Sequence, residues 1–341
     1  MKNSAQKLAI DIHAHALIGE VEQIARTQER WRTEAEEAAR LAGDQSSEHN
    51  RRLMQTAYLS ALTRVEARLA AMDAMRIDVQ AVSPIPSQYH YWANRDAAEK
   101  IVAAANNGIA AICETHRDRF VGLGSVSMQY PELAADQLEH AIEELGLKGV
   151  MISTAVNGSE LADPRFEVFW AKAEALEAVV FIHPMGCSMG ERLTRFYFTN
   201  LIGNPTETTV ALAHLIFSGV FDRHPNLKVV AAHGGGYFPF YSARFDHGWR
   251  VRPESHACAN PPGTYLKRIW FDSLVYTPEQ LRFLVERAGP SQVVLGTDFP
   301  FDMGMDDPNG HLESVDGLSE RDREMIRGGN AAHLLKIDDT R

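Results

Sequence analysis

Five residues of this sequence could together hold a metal ion. His13 and His15 form an HxH pair in the run DIHAH, while His183, His233 and Asp298 close the apolar runs VVFIH, KVVAAH and VVLGTD. Imidazole nitrogens with one carboxylate suit a divalent ion such as Zn²⁺. An open coordination position would hold water, whose pKa the ion lowers toward about 7. The five residues therefore predict a metal site that activates water near neutral pH.

Eight short apolar runs could supply the strands that position these side chains. The runs are apolar on both faces, as in a parallel sheet covered by helices. They are 8–12, 78–83, 121–127, 149–153, 179–183, 228–233, 269–273 and 293–298. Helical patterns at 97–114, 131–145, 165–177, 279–288 and 319–327 alternate with them. This alternation predicts an α/β fold, a (β/α)8 TIM barrel, in which the carboxyl ends of the strands converge on one mouth.

The arrangement on the barrel rim favours a single metal ion. A strand has period two, so His13 and His15 point to the same side. Each histidine alone could be an ordinary structural residue. The presence of all four histidines and Asp298 on one rim favours a metal-binding role. The only lysine near the fourth strand, Lys148, precedes it, and the strand exits through ISTA. No lysine carbamate could therefore bridge two ions there.

One segment interrupts the alternation of strand and helix. Residues 16–64 separate the first two strands by far more than an ordinary βα loop. Their composition, as in EVEQIARTQERWRTEAEEAARL, predicts charged surface helices. We expect them to form an insertion or lid over the barrel mouth; the alternative is a solvated decoration without a role. The remaining length fits a single domain over residues 1–341.

The composition restricts the classes of partner. The 341 residues include 34 Lys and Arg against 45 Asp and Glu, a net charge of −11, which argues against a protein that reads the nucleic-acid backbone. No apolar run reaches the roughly 18 residues of a membrane span, and the N-terminus lacks a signal-peptide core. Cys113, Cys187 and Cys258 are too few and too dispersed for a disulfide framework or a CxxC zinc pattern. These features predict a soluble, cytoplasmic protein with a small-molecule ligand.

The strand-end residues resemble those of the amidohydrolase superfamily. Longer stretches are similar to the aminocarboxymuconate-semialdehyde decarboxylase group within it. They are FIHP at 181–184, NPTETTVAL at 204–212, SGVFDRHP at 218–225, AHGGGYF at 232–238, ARFDHGW at 243–249 and LGTDFPF at 295–301. The resemblance covers about residues 8–15 and 65–335 and is weak over 16–64. It implies non-oxidative decarboxylation of a carboxylated aromatic ring-cleavage product or an aromatic acid.

The resemblance also implies roles for the five rim residues. His13, His15, His183 and Asp298 would bind one Zn²⁺, with Mn²⁺ or Co²⁺ as alternatives. His233 would act as a base or polariser beside the metal-bound water, and Asp298 would share in proton handling.

The resemblance further implies residues that bind the substrate. An arginine of the insertion, here Arg51 or Arg52, would bind a substrate carboxylate. Arg244 would reach the pocket of a neighbouring subunit, which implies a homodimer; an intrachain salt bridge is the alternative. Phe196 and Tyr197 could stack on a planar substrate or pack in the core.

Other residues depart from the pattern or admit two interpretations. Met185 follows His183-Pro184 where the group has an aromatic residue. Cys187 then lies near the mouth, and His90 is either a proton donor or an ordinary surface histidine. The substrate therefore stays open. A metal-dependent C–C hydrolase of a meta-cleavage product, a hydratase and an amide or lactone hydrolase are alternatives. A non-enzymatic metal-binding scaffold is disfavoured, because His233 would be surplus to a four-ligand shell.

Overall fold

Eight parallel strands form the centre of the fold and pair in the order in which the chain reaches them, from β1 to β8. The computed structural model describes residues 8–337. The strands are β1 (Ile10–Ala16), β2 (Val79–Pro84), β3 (Phe120–Gly124), β4 (Gly149–Ile152), β5 (Val179–Ile182), β6 (Lys228–Ala231), β7 (Ile269–Asp272) and β8 (Val293–Val294). A short hairpin, Ala155–Val156 with Ser159–Glu160, follows β4.

The barrel closes where the chain beyond β8 meets β1. The backbone N–H of Asp298 donates to the carbonyl of His13 at 2.8 Å, and that of His15 donates to the carbonyl of Phe299 at 2.8 Å. An isolated parallel bridge joins Ala14 to Phe299. The predicted (β/α)8 barrel is confirmed.

Helices cover the outside of the barrel and follow most of its strands. They are α1 (Gly19–Ala25), α2 (Arg30–Ala42), α3 (Asp44–Leu53), α4 (Ala57–Thr63), α5 (Val65–Met75), α6 (Arg95–Thr115), α7 (Pro131–Glu143), α8 (Glu167–Ala175), α9 (Asn204–Phe217), α10 (Val220–Arg223), α11 (Phe238–Val251), α12 (Pro278–Ala288), α13 (Pro308–Glu313), α14 (Glu320–Glu324) and α15 (Asn330–Leu335). Among residues 8–337, none of these helices is both long and apolar enough to cross a membrane.

The strands are buried on both faces, as their continuous apolar runs predict. All four residues of β5 are inaccessible to solvent, and Phe169 and Trp170 of α8 pack in the same core. Each fully buried Val, Ile or Phe side chain contributes about 1.5–3 kcal/mol of transfer free energy. The barrel is therefore a rigid base for side chains at its mouth.

The segment between β1 and β2 is helical, as its composition predicts. Helices α1 to α4 occupy it, and α2 and α3 bury none of their side chains. Arg40 of α2 pairs with Glu191 beyond β5 at 2.5 Å, and His49 of α3 pairs with Asp302 beyond β8 at 3.1 Å. The insertion thus contacts the loops at the carboxyl ends of the strands.

Two strand ends differ from those expected. β1 extends to Ala16, so His13 and His15 lie inside the strand, because hydrogen bonds across the closing seam prolong it. β8 ends at Val294, well before Asp298. Asp298 has a φ of +58°, a left-handed conformation that cannot continue a strand. Asp298 therefore reaches the mouth from a loop.

Candidate metal centre

The five residues singled out by the sequence converge at the mouth of the barrel around Asp298. Its Oδ1 lies 3.1 Å from Nε2 of both His13 and His15, and 4.0 Å from Nε2 of His183. Its Oδ2 lies 3.7 Å from Nε2 of His233. Five side chains, from β1 and from the loops beyond β5, β6 and β8, thus face one point.

The outer nitrogens of three histidines are held by hydrogen bonds. Nδ1 of His13 lies 2.6 Å from Oδ2 of Asp272, and Nδ1 of His183 lies 2.8 Å from the carbonyl of Pro184. Nδ1 of His15 lies 3.1 Å from Oγ of Ser83. Such a contact fixes a ring with Nε2 facing inward, as metal-binding histidines require.

The inner nitrogens of two histidines lack a hydrogen-bond partner although they are buried. They are Nε2 of His13 and Nε2 of His183. A buried polar atom without a partner costs about 1–3 kcal/mol. A candidate ligand set of His13, His183, His233 and Asp298 has its ligand atoms within 4.8 Å of one another. The donor types, burial and spacing fit a divalent cation.

The carboxylate of Asp298 and the imidazoles around it shift one another's pKa values. Burial disfavours a charged imidazole, but Asp298 and Asp272 outweigh it and raise the pKa of His13 to about 10. Burial also opposes ionisation of Asp298, yet His13 holds the pKa of that carboxyl well below its ordinary value. Burial, followed by the neighbouring imidazoles, lowers the pKa of His183. The centre therefore keeps an ionised carboxylate beside buried imidazoles.

Sequence reasoning missed Asp272, which supports two of the five residues. Its Oδ2 contacts Nδ1 of His13 and accepts the backbone N–H of His233 at 2.9 Å, while Oδ1 accepts that of Gly234 at 2.7 Å. Asp272 is the penultimate residue of the seventh predicted strand, IWFDS, and so lies near the same rim as Asp298 at the end of the eighth. That shared position was the available signal.

The turn after β6 directs His233 toward the centre. His233 has a φ of +55°, and the three glycines after it also have positive φ values. At Gly236 a Cβ atom would lie 2.2 Å from the carbonyl oxygen of Pro205. A residue with a side chain therefore does not fit there, and the run HGGG is a steric requirement.

A cavity of about 360 Å³ opens above the centre. Its base includes His183, His233 and Asp298. Its walls come from α3, α4 and the turn between them, from the first residue of α9, and from the loops beyond β2, β5 and β8. The residues are Asn50, Leu53, Met54, Tyr58, Leu62, Ile85, Pro86, Ser87, Pro184, Met185, Tyr197, Asn200, Asn204, Phe301, Asp302 and Met303. The cavity has space for a small aromatic molecule.

Comparison with known proteins assigns the family. The model of the family described as amidohydrolase matches residues 10–337. The chain belongs to the amidohydrolase family. The predicted resemblance is confirmed.

Relatives of this amidohydrolase include named decarboxylases. It is 40% identical over 275 residues to the 2-amino-3-carboxymuconate-6-semialdehyde decarboxylase of Dictyostelium discoideum, covering 80% of this chain and 77% of that one. The 5-carboxyvanillate decarboxylase of Sphingomonas paucimobilis has the same fold, with a TM-score of 0.83 and 24% identity over 98% of this chain and 100% of that one.

A second solved structure contains a metal. The 5-carboxyvanillate decarboxylase of Novosphingobium aromaticivorans, with bound manganese and 3-methoxy-4-hydroxy-5-nitrobenzoic acid, matches with a TM-score of 0.82. Its identity to this amidohydrolase is 22%, over 99% of each chain, so the likeness concerns the fold.

The structure does not bring Arg51 and Arg52 to the cavity of this amidohydrolase. Both pair with Glu48 on the same helix, and their side chains are 65% and 74% exposed. The residues that reach the cavity here are Asn50 and Leu53 of α3 and Met54, which follows the helix. Periodicity along α3 places the arginines on another face, so a role in substrate binding stays a prediction.

Phe196 and Tyr197 are adjacent in sequence, but only one of them reaches the inner cavity. Tyr197 lines both the inner cavity and a wider outer space of about 560 Å³, whereas Phe196 is 66% exposed and lines the outer space. Both residues have positive φ values, 58° and 60°. Tyr197 alone is placed to touch a molecule in the inner cavity.

Three other residues lie away from the centre of this amidohydrolase. Arg244 is exposed in a groove on α11, and among the described residues it forms no ion pair. His90 lines a separate cavity of about 380 Å³, with its Nε2 4.0 Å from Oε1 of Glu22. Cys187 packs against Gly203, and burial raises the pKa of its thiol. The intrachain salt bridge considered for Arg244 is therefore absent from residues 8–337.

Proposed function

We propose that this enzyme is a metal-dependent decarboxylase of an aromatic acid or of a carboxylated product of aromatic ring cleavage. The observation that carries the proposal is the convergence of four imidazoles and Asp298 at the base of a cavity. Two of the inner nitrogens there are buried and form no hydrogen bond. The decarboxylase relatives support the reaction class.

The proposed ligands are His13, His15, His183 and Asp298. The first three histidines each have an outer nitrogen held by a second group, which leaves Nε2 to face the ion. His233 differs, because its Nδ1 is buried with no partner. Spacing alone also admits His233 to the ligand set. The contrast in how the outer nitrogens are held supports His15 as the ligand and His233 as the residue outside the shell.

One Zn²⁺ per chain is the proposed cofactor, with Mn²⁺ or Co²⁺ as alternatives. Imidazole and carboxylate suit all three ions, and a manganese-bound fold relative keeps Mn²⁺ open. When bound, the ion supplies a Lewis acid that polarises the carboxylated substrate.

His233 is placed to handle the proton. Its side chain is 16% exposed, against 0% for His13 and 6% for His183. Of these three imidazoles, that of His233 is therefore the most accessible from the cavity. In decarboxylation the C–C bond breaks, its electron pair stays on the substrate carbon, and carbon dioxide leaves. We propose that Nε2 of His233 holds the proton that then bonds to this carbon, and that Asp298 shares this proton.

The walls of the cavity suit a planar substrate that carries oxygen substituents. Leu53, Ile85 and Phe301 provide apolar surface. Burial raises the pKa of Tyr58 and of Tyr197, so both hydroxyls stay protonated and can donate hydrogen bonds. Apolar walls with a few polar groups are typical of small-ligand sites.

The proposal also covers the domain organisation, the oligomeric state and the compartment. We propose one barrel domain, with residues 16–64 as a lid over the mouth. Arg244, exposed and without an ion pair in the described chain, would reach the active site of a second copy in a homodimer. The three free cysteines support a reducing, cytoplasmic compartment.

The test is carbon dioxide release from hydroxybenzoates and ring-cleavage acids by metal-loaded and chelated enzyme. We expect activity only with metal, and deuterium from heavy water at the carbon that lost the carboxylate. His233→Ala should keep the metal but lower kcat about 10²–10⁴-fold, as expected for a lost proton-transfer group.

The control is His214→Ala, an exposed histidine on α9 that pairs with Glu160 and contacts none of the five residues. It should retain full activity. Full turnover by His233→Ala would refute the proton role. Incorporation of ¹⁸O from labelled water into a product carboxylate would instead establish a C–C hydrolase.

A further inference from the structure

A buried arginine lies behind the metal centre, on the last helix before β2. Arg68 of α5 is only 2% exposed. Arginine is almost never fully buried unless it is paired, because its charge is costly to desolvate. Among the described residues, the groups that accept its hydrogen bonds are amide and carbonyl oxygens. The residues that carry those oxygens therefore show which parts of the fold Arg68 holds together.

The acceptors of Arg68 include the backbone of a proposed metal ligand. Nη2 donates to the carbonyl of His15, and more weakly to that of Ala61 at 3.4 Å. Nη1 donates to Oε1 of Gln80 on β2 at 2.7 Å. The ring of Phe299, the residue after Asp298, lies 5.1 Å from Cζ of Arg68. One guanidinium thus contacts β1, β2, α4 and the loop beyond β8.

Gln80 passes this connection to a buried carboxylate. Its Nε2 donates to Oδ2 of Asp11 at 2.9 Å. The same oxygen accepts the hydroxyl of Thr297 at 2.7 Å, and Oδ1 accepts the backbone N–H groups of Thr297 and His13 at 3.0 Å each. Thr297 directly precedes the proposed ligand Asp298, and Asp11 lies two residues before the proposed ligand His13.

This network lies at the seam where the barrel closes. Three backbone hydrogen bonds cross the seam, from Ile12 to Leu295, from Asp298 to His13 and from His15 to Phe299. The contacts of Asp11 with Thr297 add side-chain bonds between the strand that carries His13 and His15 and the loop that carries Asp298. A shift at this seam would change the distances among three of the five residues.

The network also reaches the insertion. Ala61 belongs to α4, and its neighbour Leu62 both lines the inner cavity and accepts the backbone N–H of Leu17 at 3.0 Å. Arg68 therefore joins a cavity wall to the carbonyl of His15.

We propose that Arg68 is a positioning residue that, through Gln80, Asp11 and Thr297, sets the metal-binding geometry of His13, His15 and Asp298 and couples it to the inner wall of the insertion. This inference rests on the metal centre proposed above. Arg68 itself contacts neither substrate nor ion.

The test compares Arg68→Met with the wild type by metal affinity, using competition with a chromophoric chelator, and by the visible absorption spectrum of the Co²⁺-loaded protein. We expect a 10–100-fold weaker metal affinity, as for other groups that orient ligands, and a changed Co²⁺ spectrum. Arg68→Lys, which keeps a buried cationic donor, should restore part of the affinity.

The matched control is Arg268→Met. Arg268 is half-buried, donates to the carbonyls of Phe221 and His224, and contacts none of the five residues. It should lose stability while keeping the metal affinity and the spectrum. Since Arg68→Met could unfold the protein, Thr297→Val provides a milder lesion, because it removes one hydroxyl, which donates to Asp11 and accepts the backbone N–H of Phe299.

The outcomes separate the two proposals. If the wild type binds no divalent ion, the proposed function fails, and this inference with it. If the wild type binds the ion but folded Arg68→Met, or Thr297→Val where Arg68→Met does not fold, binds it as tightly and with the same spectrum, this inference alone is overturned.

Discussion

The base of the cavity and its mouth are held by different kinds of interaction. At the base, His13 and His15 are fully buried and Asp298 is 5% exposed, and each has hydrogen-bond or ion-pair partners closer than 3.2 Å. At the mouth, Arg40 and Glu191 form an ion pair with side chains that are 52% and 81% exposed. Solvent weakens such pairs, whereas buried networks are strong and costly to break. The base is therefore preorganised for chemistry, and the mouth is free to vary with the substrate.

Among substitutions that test the difference between base and mouth, we expect Asp298→Asn at the base to lower metal content and activity the most. Removing its charge in Asp298→Asn leaves the buried His13 without its main opposing charge and removes a proposed ligand. We expect loss of stoichiometric metal and an activity loss of more than about 100-fold, because even groups that only orient ligands cost 10–100-fold. Elemental analysis and initial rates measure both.

The matched control is Glu191→Gln, which removes a carboxylate of the mouth that does not line the inner cavity. Glu191 pairs with the exposed Arg40. It should keep the metal and most of the activity. Equal losses in the two variants would show that base and mouth do not differ as described.

The next effect concerns the pH dependence of metal affinity at the base. Asp298 and Asp272 raise the pKa of His13 to about 10, so His13 carries a proton at neutral pH that metal binding must displace. Raising the pH toward 10 lowers the proton competition. Apparent affinity should therefore increase with pH, by about tenfold per unit for one displaced proton.

Isothermal titration at several pH values, in buffers of different ionisation enthalpy, measures this dependence and the protons released. An affinity that is constant from pH 6 to pH 8 would contradict a protonated His13 at the base.

The smallest effect is expected at the mouth. Arg40→Ala breaks the exposed pair with Glu191 and should lower the free energy of unfolding by less than about 1 kcal/mol, with the difference vanishing at high salt. Arg32→Ala, an exposed arginine on the same helix, is the control. A double-mutant cycle with Glu191→Gln measures the pair directly, and a coupling well above 1 kcal/mol would indicate a firmly latched insertion.

The sequence by itself determined the fold class and the five residues of the centre. Apolar runs with two buried faces predict parallel strands, and the period of two along β1 places His13 and His15 on one side. Since parallel strands of a barrel end at a common mouth, the polar residues that close them must meet there. This reasoning needs only local pattern and topology, which is why it succeeded.

Only the tertiary structure decided which side chains support and surround the centre. The direction of the arginines on α3 depends on how that helix is rotated against the barrel. Which of Phe196 and Tyr197 reaches the inner cavity, and the path from Arg68 to Asp11 and Thr297, depend on contacts between residues up to 286 positions apart. Asp272 lies near the end of a predicted strand, but its bond to His13, which joins β7 to β1 across the barrel, is seen only in the structure. Such contacts arise from packing, for which no local pattern of residues codes.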